Sequence, residues 1–242
     1  MLRGSVKNVC SVVATNDLRL MRDYALSVVT EWVELRIDYV LSSEDALVST
    51  QSVINGVKEL VRELRSTGKE VIITLRSRSE GGRFYGGEEL RKYLMIKLAS
   101  SEPTLIDVEA RSKVFRSVTS VLKELGIDFI ASIHYLSRVP TEEELLKEAF
   151  KAFSNGAKLF KAVYPARELR DNLVALNLCS LMSGKSVIMC SGSLGRVSRV
   201  LAPLAGAPFT YVYVGKEPVA PGQLSLNELL KAWESLGVIS DG

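Results

Sequence analysis

The sequence is poor in the residues that build metal centres and covalent frameworks. Its 242 residues include one histidine, His134, and three cysteines, Cys10, Cys179 and Cys190, with no CxxC pair. That set supplies neither a common zinc cluster nor an even-numbered disulfide framework, so reduced, buried thiols are expected. No run of 18 apolar residues occurs, and the opening MLRGSVKNVCSVV lacks a long apolar stretch. A soluble protein of the cytoplasm is expected, with no membrane partner. There is no block of five or six like charges, and the net charge is only +3. Without basic and aromatic residues interleaved, a nucleic-acid partner is not expected. No internal repeat, low-complexity tract or linker breaks the chain. No GxGxxG follows the first apolar run, which argues against a dinucleotide fold.

What is present is a globular composition, 47% hydrophobic and 24% charged. Eight short apolar or alternating runs read as strands: 9–14, 32–40, 71–76, 105–110, 129–135, 158–163, 186–191 and 209–214. Segments 46–64, 88–98, 112–125, 142–153, 168–182 and 225–236 carry helical periodicity, and several stop at a glycine, such as Gly68, Gly126, Gly156 and Gly184. Thr141 before Glu142–Glu144, and Ser225 before Glu228, are N-cap signals. Eight βα units without a second compositional zone predict a single (β/α)8 TIM barrel over residues 1–242, with an open doubly wound sheet as the runner-up. The one glycine-rich loop, 81–87, follows the third strand and reads as a lid or as a plain connection.

Alternate residues of a strand face opposite ways. In 33–39 the apolar set faces the helices, which turns Glu34, Arg36 and Asp38 inward. Asp107 and Glu109 repeat the pattern on the fourth strand, and Arg76 ends the third facing in. Inward charges are costly unless paired with each other or with a ligand. His134 ends the apolar fifth strand, at the rim where barrel enzymes carry their chemistry. Lys161 shares a face with Leu159 and Val163 in mid-strand. Burial disfavours an ammonium, and the free amine is the form that attacks a carbonyl. A structural ion pair with Glu34 or Glu109 is the alternative; Lys158 faces the other way. The turn 191–199 could hold an anion at a helix start, and the stiff loop 218–223 presents Gln223.

In order along the chain, Glu34-Leu35-Arg36-Ile37-Asp38, Thr74-Leu75-Arg76 with Glu80-Gly81-Gly82, Ser132-Ile133-His134, Phe160-Lys161-Ala162, Gly195-Arg196-Val197-Ser198-Arg199 and Ala220-Pro221-Gly222-Gln223 resemble type I 3-dehydroquinate dehydratase. The resemblance implies a (β/α)8 barrel that converts 3-dehydroquinate to 3-dehydroshikimate, a step of the shikimate route to aromatic compounds. It implies an imine on Lys161, proton transfer by His134 and orientation of His134 by Glu80. It also implies that Arg199 binds the substrate carboxylate and that Ser11, Glu34, Arg36, Arg76, Met189 and Gln223 shape the pocket. A carboxylate on one ring nitrogen should favour the charged imidazole and raise its pKa. A protonated imine makes the neighbouring C–H acidic, so neither metal nor organic cofactor is expected. The partner is a small molecule, and a homodimer is left open. Two positions depart from the family pattern. Val219 stands where a hydroxyl residue often precedes Ala-Pro-Gly-Gln, and Ser191 stands where a second pocket methionine often lies. Two rivals remain at this point: another Schiff-base barrel of the aldolase or transaldolase kind, and a non-catalytic anion-binding barrel.

Overall fold

The β-branched and apolar runs form strands that curl around a common axis with helices outside. The computed structural model describes residues 6–239. Its strands are β1 Val6–Val13, β2 Thr30–Arg36, β3 Glu70–Thr74, β4 Leu105–Glu109, β5 Phe129–His134, β6 Leu159–Pro165, β7 Ser186–Ser191, β8 Thr210–Val214 and the two-residue β9 Leu224–Ser225. The helices are α1 Leu18–Ser27, α2 Ile37–Val40, α3 Glu44–Val48, α4 Thr50–Ser66, α5 Glu88–Ala99, α6 Phe115–Glu124, α7 Glu142–Ser154, α8 Asp171–Leu181, α9 Arg196–Leu201 and α10 Leu226–Ser235. All ladders are parallel, in the order β7-β6-β5-β4-β3-β2-β1-β8-β9. This is the expected (β/α)8 barrel, with the hydrogen-bonded ladder open at one seam.

Between β7 and β8 the seam is joined by single bonds rather than by a ladder. Gly192 N–H donates to Pro221 C=O at 2.9 Å, and Gly184 N–H donates to Gly206 C=O at 2.8 Å. The close approach at the upper joint requires glycine at 222. Its φ is +76°, and a Cβ there would lie 2.1 Å from the Gly192 carbonyl oxygen.

Two of the sequence expectations move. The second strand stops at Arg36, and 37–40 turns into α2, so Asp38 reaches its place through a helical turn and not through strand alternation. The single helix expected over 46–64 is two, α3 and α4, with Ser49 between them. Elsewhere the periodicity holds. On α4, Val53, Ile54, Val57, Leu60, Val61 and Leu64 form one buried stripe, each large side chain contributing roughly 1.5–3 kcal/mol. The capping boxes form at Thr141 with Glu144 and at Ser225 with Glu228. The three thiols are free and buried.

The barrel interior is apolar at its base and polar above. Cys10, Ile72, Leu105, Ile130, Val187 and Phe209 close the bottom, with the Trp32 and Phe209 rings 4.9 Å apart. The next inward layer, toward the C-terminal ends of the strands, carries Glu34, Thr74, Asp107, Ser132 and Lys161. The glycine-rich loop is tied to its surroundings by backbone hydrogen bonds. Gly82 N–H donates to Ser77 C=O, Tyr85 N–H to Leu41 C=O and Arg83 N–H to the Asp38 carboxylate. Phe84 is buried, and the Gly82 backbone is so close to that of Arg76 that a Cβ would meet the Arg76 carbonyl oxygen at 2.2 Å.

Candidate active site

At the C-terminal end of the strands lies a cavity of about 210 Å³. It is lined by Glu34, Arg36, Arg76, Glu80, His134, Lys161, Met189, Arg199 and Gln223, together with Val12, Ser191, Tyr211 and Val219. All the expected site residues except Ser11 therefore meet in one place. Ser11 alternates with the interior Cys10 and Val12, so it faces the other way; it is buried and accepts a hydrogen bond from the Thr30 hydroxyl at 2.9 Å. Lys158 pairs with Asp128 on the surface. Asp38 is fully buried and grips Arg36 with two 2.8 Å bonds but does not line the cavity.

Lys161 rises from mid-β6 with 5% of its surface exposed. Its Nζ lies 3.1 Å from Asp107 Oδ2, 3.5 Å from Glu34 Oε1 and 4.2 Å from the centre of the Tyr211 ring. Glu34 is held by the Thr74 hydroxyl at 2.6 Å. Asp107 is the hub. Besides Lys161 it accepts from Arg76 Nη2 at 2.8 Å and from Ser132 Oγ at 2.5 Å. Burial pushes its pKa up, but Arg76 and then Lys161 outweigh burial and hold it well below the usual carboxylate range. Arg76 is shared among carboxylates: Glu109 lies at 3.5 Å and Glu80 at 3.7 Å as well. Burial works against its charge, yet Asp107, Glu109 and Glu80 raise its pKa. Glu109 is also tied to Ser77 N–H at 2.7 Å and to Arg91 of α5 at 3.1 Å.

Tyr211 presents its ring to Lys161 Nζ, but its hydroxyl is enclosed with no partner among the described residues. Burial raises its pKa well above that of an ordinary phenol. An unmade buried hydrogen bond costs about 1–3 kcal/mol. Tyr211→Phe keeps the ring and is expected to raise the melting temperature, by about 2–4 °C per kcal/mol for a chain of this size. A lower melting temperature in Tyr211→Phe would mean that the hydroxyl has a partner.

His134 sits two residues above the Lys161 layer on the neighbouring strand; β5 and β6 pair Ser132 with Lys161 and His134 with Val163. Glu80 Oε2 accepts from the His134 backbone N–H at 3.1 Å and lies 3.0 Å from Nδ1. The imidazole pKa falls well below its ordinary value, first through burial and then through the positive charges of Arg76 and Lys161. This reverses the expectation of a raised histidine. The carboxylate that was to raise it is itself pushed up to about 7 by burial, with Arg76 opposing. The ring is therefore neutral near pH 7. An ionised Glu80 accepts a hydrogen bond from Nδ1–H and leaves Nε2 as the free acceptor.

Arg199 of α9 is 2% exposed and has no acidic partner among the described residues. Its Nε donates to the Cys190 carbonyl at 2.9 Å and Nη1 meets Met189 Sδ at 3.3 Å. Burial lowers its pKa to about 10. Arg196, its neighbour, pairs with Glu228 at the surface. Three N–H groups of the glycine turn before α9 and of α9 itself are already engaged within the fold. Gly192 N–H is spent on Pro221, Gly195 N–H on Gly192 and Ser198 N–H on Asn172 Oδ1. Gln223 Oε1 accepts from Val219 N–H at 3.1 Å, so the Val219 N–H is spent within its own loop.

Sequence reasoning carried neither Asp107 nor Tyr211 into the site, and it missed Ser132 and Arg91. Asp107 was visible as an inward charge. Arg91 reaches in from a helix, and no strand periodicity marks it.

The chain is similar to known proteins along almost its whole length. A family model described as Type I 3-dehydroquinase matches residues 9–240. The 3-dehydroquinate dehydratase of Pyrobaculum aerophilum is 33% identical over 97% of this chain and 72% of its own. That of Methanocella arvoryzae is 32% identical over 96% and 97%. Among solved structures, 3-dehydroquinate dehydratase from Geobacillus kaustophilus superimposes with a TM-score of 0.83 at 22% identity, covering 98% of this chain and 94% of that one. A type I enzyme from Clostridium difficile, solved with covalently modified comenic acid, gives 0.78 at 23% identity, covering 97% and 94%.

Proposed function

Because the chain belongs to the type I 3-dehydroquinase family and is a hydro-lyase acting on 3-dehydroquinate, we propose that it works through an imine between Lys161 Nζ and the substrate C3 carbonyl. The observation that supports this is the meeting of the amine, the His134–Glu80 pair and an unpaired buried arginine in one cavity. The Lys161 amine adds to C3, and loss of water leaves a protonated imine. Asp107 and Glu34 face that cation and favour it over the neutral imine. The cationic imine draws electrons from C2, which makes the C2 proton removable. Neutral His134 accepts that proton at Nε2 and gives it to the hydroxyl leaving C1, which departs as water. Hydrolysis of the product imine then frees 3-dehydroshikimate and Lys161. Met189, Gln223 and Arg36, steadied by Asp38, shape the ring's seat.

Arg199 receives the substrate carboxylate, where a guanidinium can bind two oxygens at once. Arg199→Met keeps most of the volume and removes a desolvated charge that has no acidic partner among the described residues. The expected result is a loss of about 2–5 kcal/mol in apparent binding with no fall in melting temperature. An unchanged KM would place the carboxylate elsewhere.

Borohydride reduction in the presence of 3-dehydroquinate, read by peptide mass spectrometry, tests the imine. The adduct mass is expected on the peptide containing Lys161. Trapping only with sugar phosphates would favour an aldolase-like barrel, and anion binding without trapping would favour a non-catalytic one.

A further inference from the structure

The His134–Glu80 pair is a partition between two cavities. One face borders the cavity that holds Lys161; the other borders a second cavity of about 450 Å³. At the mouth of the second stand the exposed Arg111 and Lys113, and its inner wall is made by Ser112, Glu109, Glu80 and His134. It therefore runs from solvent to the back of the proton-transferring pair, and every residue lining it carries a polar or charged group.

Glu80 Oε2 accepts from the His134 backbone N–H and faces the ring at Nδ1, which fixes the pair in the wall between the cavities. One buried atom there, Ser112 Oγ, lacks a partner among the described residues. Buried polar atoms of this kind are ordinarily satisfied by ordered water, and the chamber has the volume of about fifteen waters at roughly 30 Å³ each.

The reaction gives such a chamber work. Resting on the imine reading above, each turnover releases one water as the imine forms and one as the hydroxyl leaves, and it takes one back for hydrolysis. The Lys161 cavity has the volume of only about seven waters, and a bound ring claims most of that space. We propose that the second cavity is a water port through which the hydrolytic water reaches the product imine past His134 and Glu80. In that step water adds its oxygen to C3 and the C3–N bond breaks. The cationic imine and water become the ketone and the Lys161 ammonium, with no other reactant.

The port is tested by narrowing it away from the reacting groups. Ser112→Leu fills the inner wall, Ser112→Ala leaves it open, and Lys113→Trp narrows the mouth from an exposed position without touching the core. Each is mixed with 3-dehydroquinate, and the covalent fraction at steady state is read by intact mass, with the rate of its first appearance. The expected result is an unchanged rate of adduct formation, a several-fold lower kcat and a higher adduct fraction in Ser112→Leu and Lys113→Trp, with Ser112→Ala like the wild type. Wild-type kcat and wild-type adduct fraction in the folded narrowed variants would overturn the port alone. Absence of any adduct in the wild type would overturn the imine and the port together.

Discussion

Lys161→Ala is expected to lose all covalent capture of 3-dehydroquinate and to fall at least about 10³-fold in turnover, roughly 4 kcal/mol of transition-state stabilisation, while keeping its fold. The loss is large because without the nitrogen there is no cationic imine to draw electrons from C2. The fold survives because neither carboxylate beside Lys161 is left alone. Asp107 keeps Arg76 and Ser132, and Glu34 keeps the Thr74 hydroxyl. Breaking a buried pair otherwise costs about 3–5 kcal/mol, so a lower melting temperature is expected, with a cooperative transition. The measurements are intact mass after borohydride and a progress curve for 3-dehydroshikimate. Turnover near the wild-type rate in Lys161→Ala would falsify the imine mechanism.

His134→Ala is expected to cost about 10²–10⁴ in kcat, the usual worth of a positioned proton-transfer group. It should also accumulate adduct, since both elimination and hydrolysis pass protons through the ring. The pH dependence follows from the pair. Glu80 is pushed up to about 7, and its ionised form is the stronger acceptor for the Nδ1–H hydrogen bond that leaves Nε2 as the base. Activity of the wild type should therefore rise as pH increases through about 7. Glu80→Gln offers a neutral oxygen to Nδ1–H at every pH, so its profile should lose that rise while turnover falls less than in His134→Ala. The same rise in both enzymes would remove Glu80 from the pair. Full activity in His134→Ala would remove the histidine from the mechanism.

The stability linkage of the two groups has opposite signs. Glu80, raised from 4.5 to about 7, binds its proton more tightly in the folded state. It favours folding fully below about 4.5, and that contribution is lost as pH rises to 7. His134, depressed below 6.5, works against folding at low pH, and that penalty disappears as pH rises toward 6.5. The two slopes oppose one another in the window between, so acid sensitivity there should be smaller than either alone would give. Glu80→Gln unmasks the histidine slope in a series of melts from pH 5 to 8.

Local chemistry determined much of this protein from the sequence alone. Strand alternation brought Glu34, Asp107 and Lys161 to one face, because a two-residue period leaves no choice once the apolar partners are buried. Periodicity and caps determined most helices, and family motifs in fixed order pointed to the reaction. Only the tertiary structure decided what depends on contacts between distant elements. Ser11 fell outside the cavity because the parity of β1 is set by Cys10 and Val12 against the barrel interior. Asp38 left the strand face because the chain turns helical after Arg36. The sign of the His134 shift reversed because burial, Arg76 and Lys161 act on the ring from other strands, while burial leaves Glu80 a weakened anion. A sequence displays which charges a strand points inward; which of them meet, and what each meeting does to a proton, is settled by the distances that folding sets.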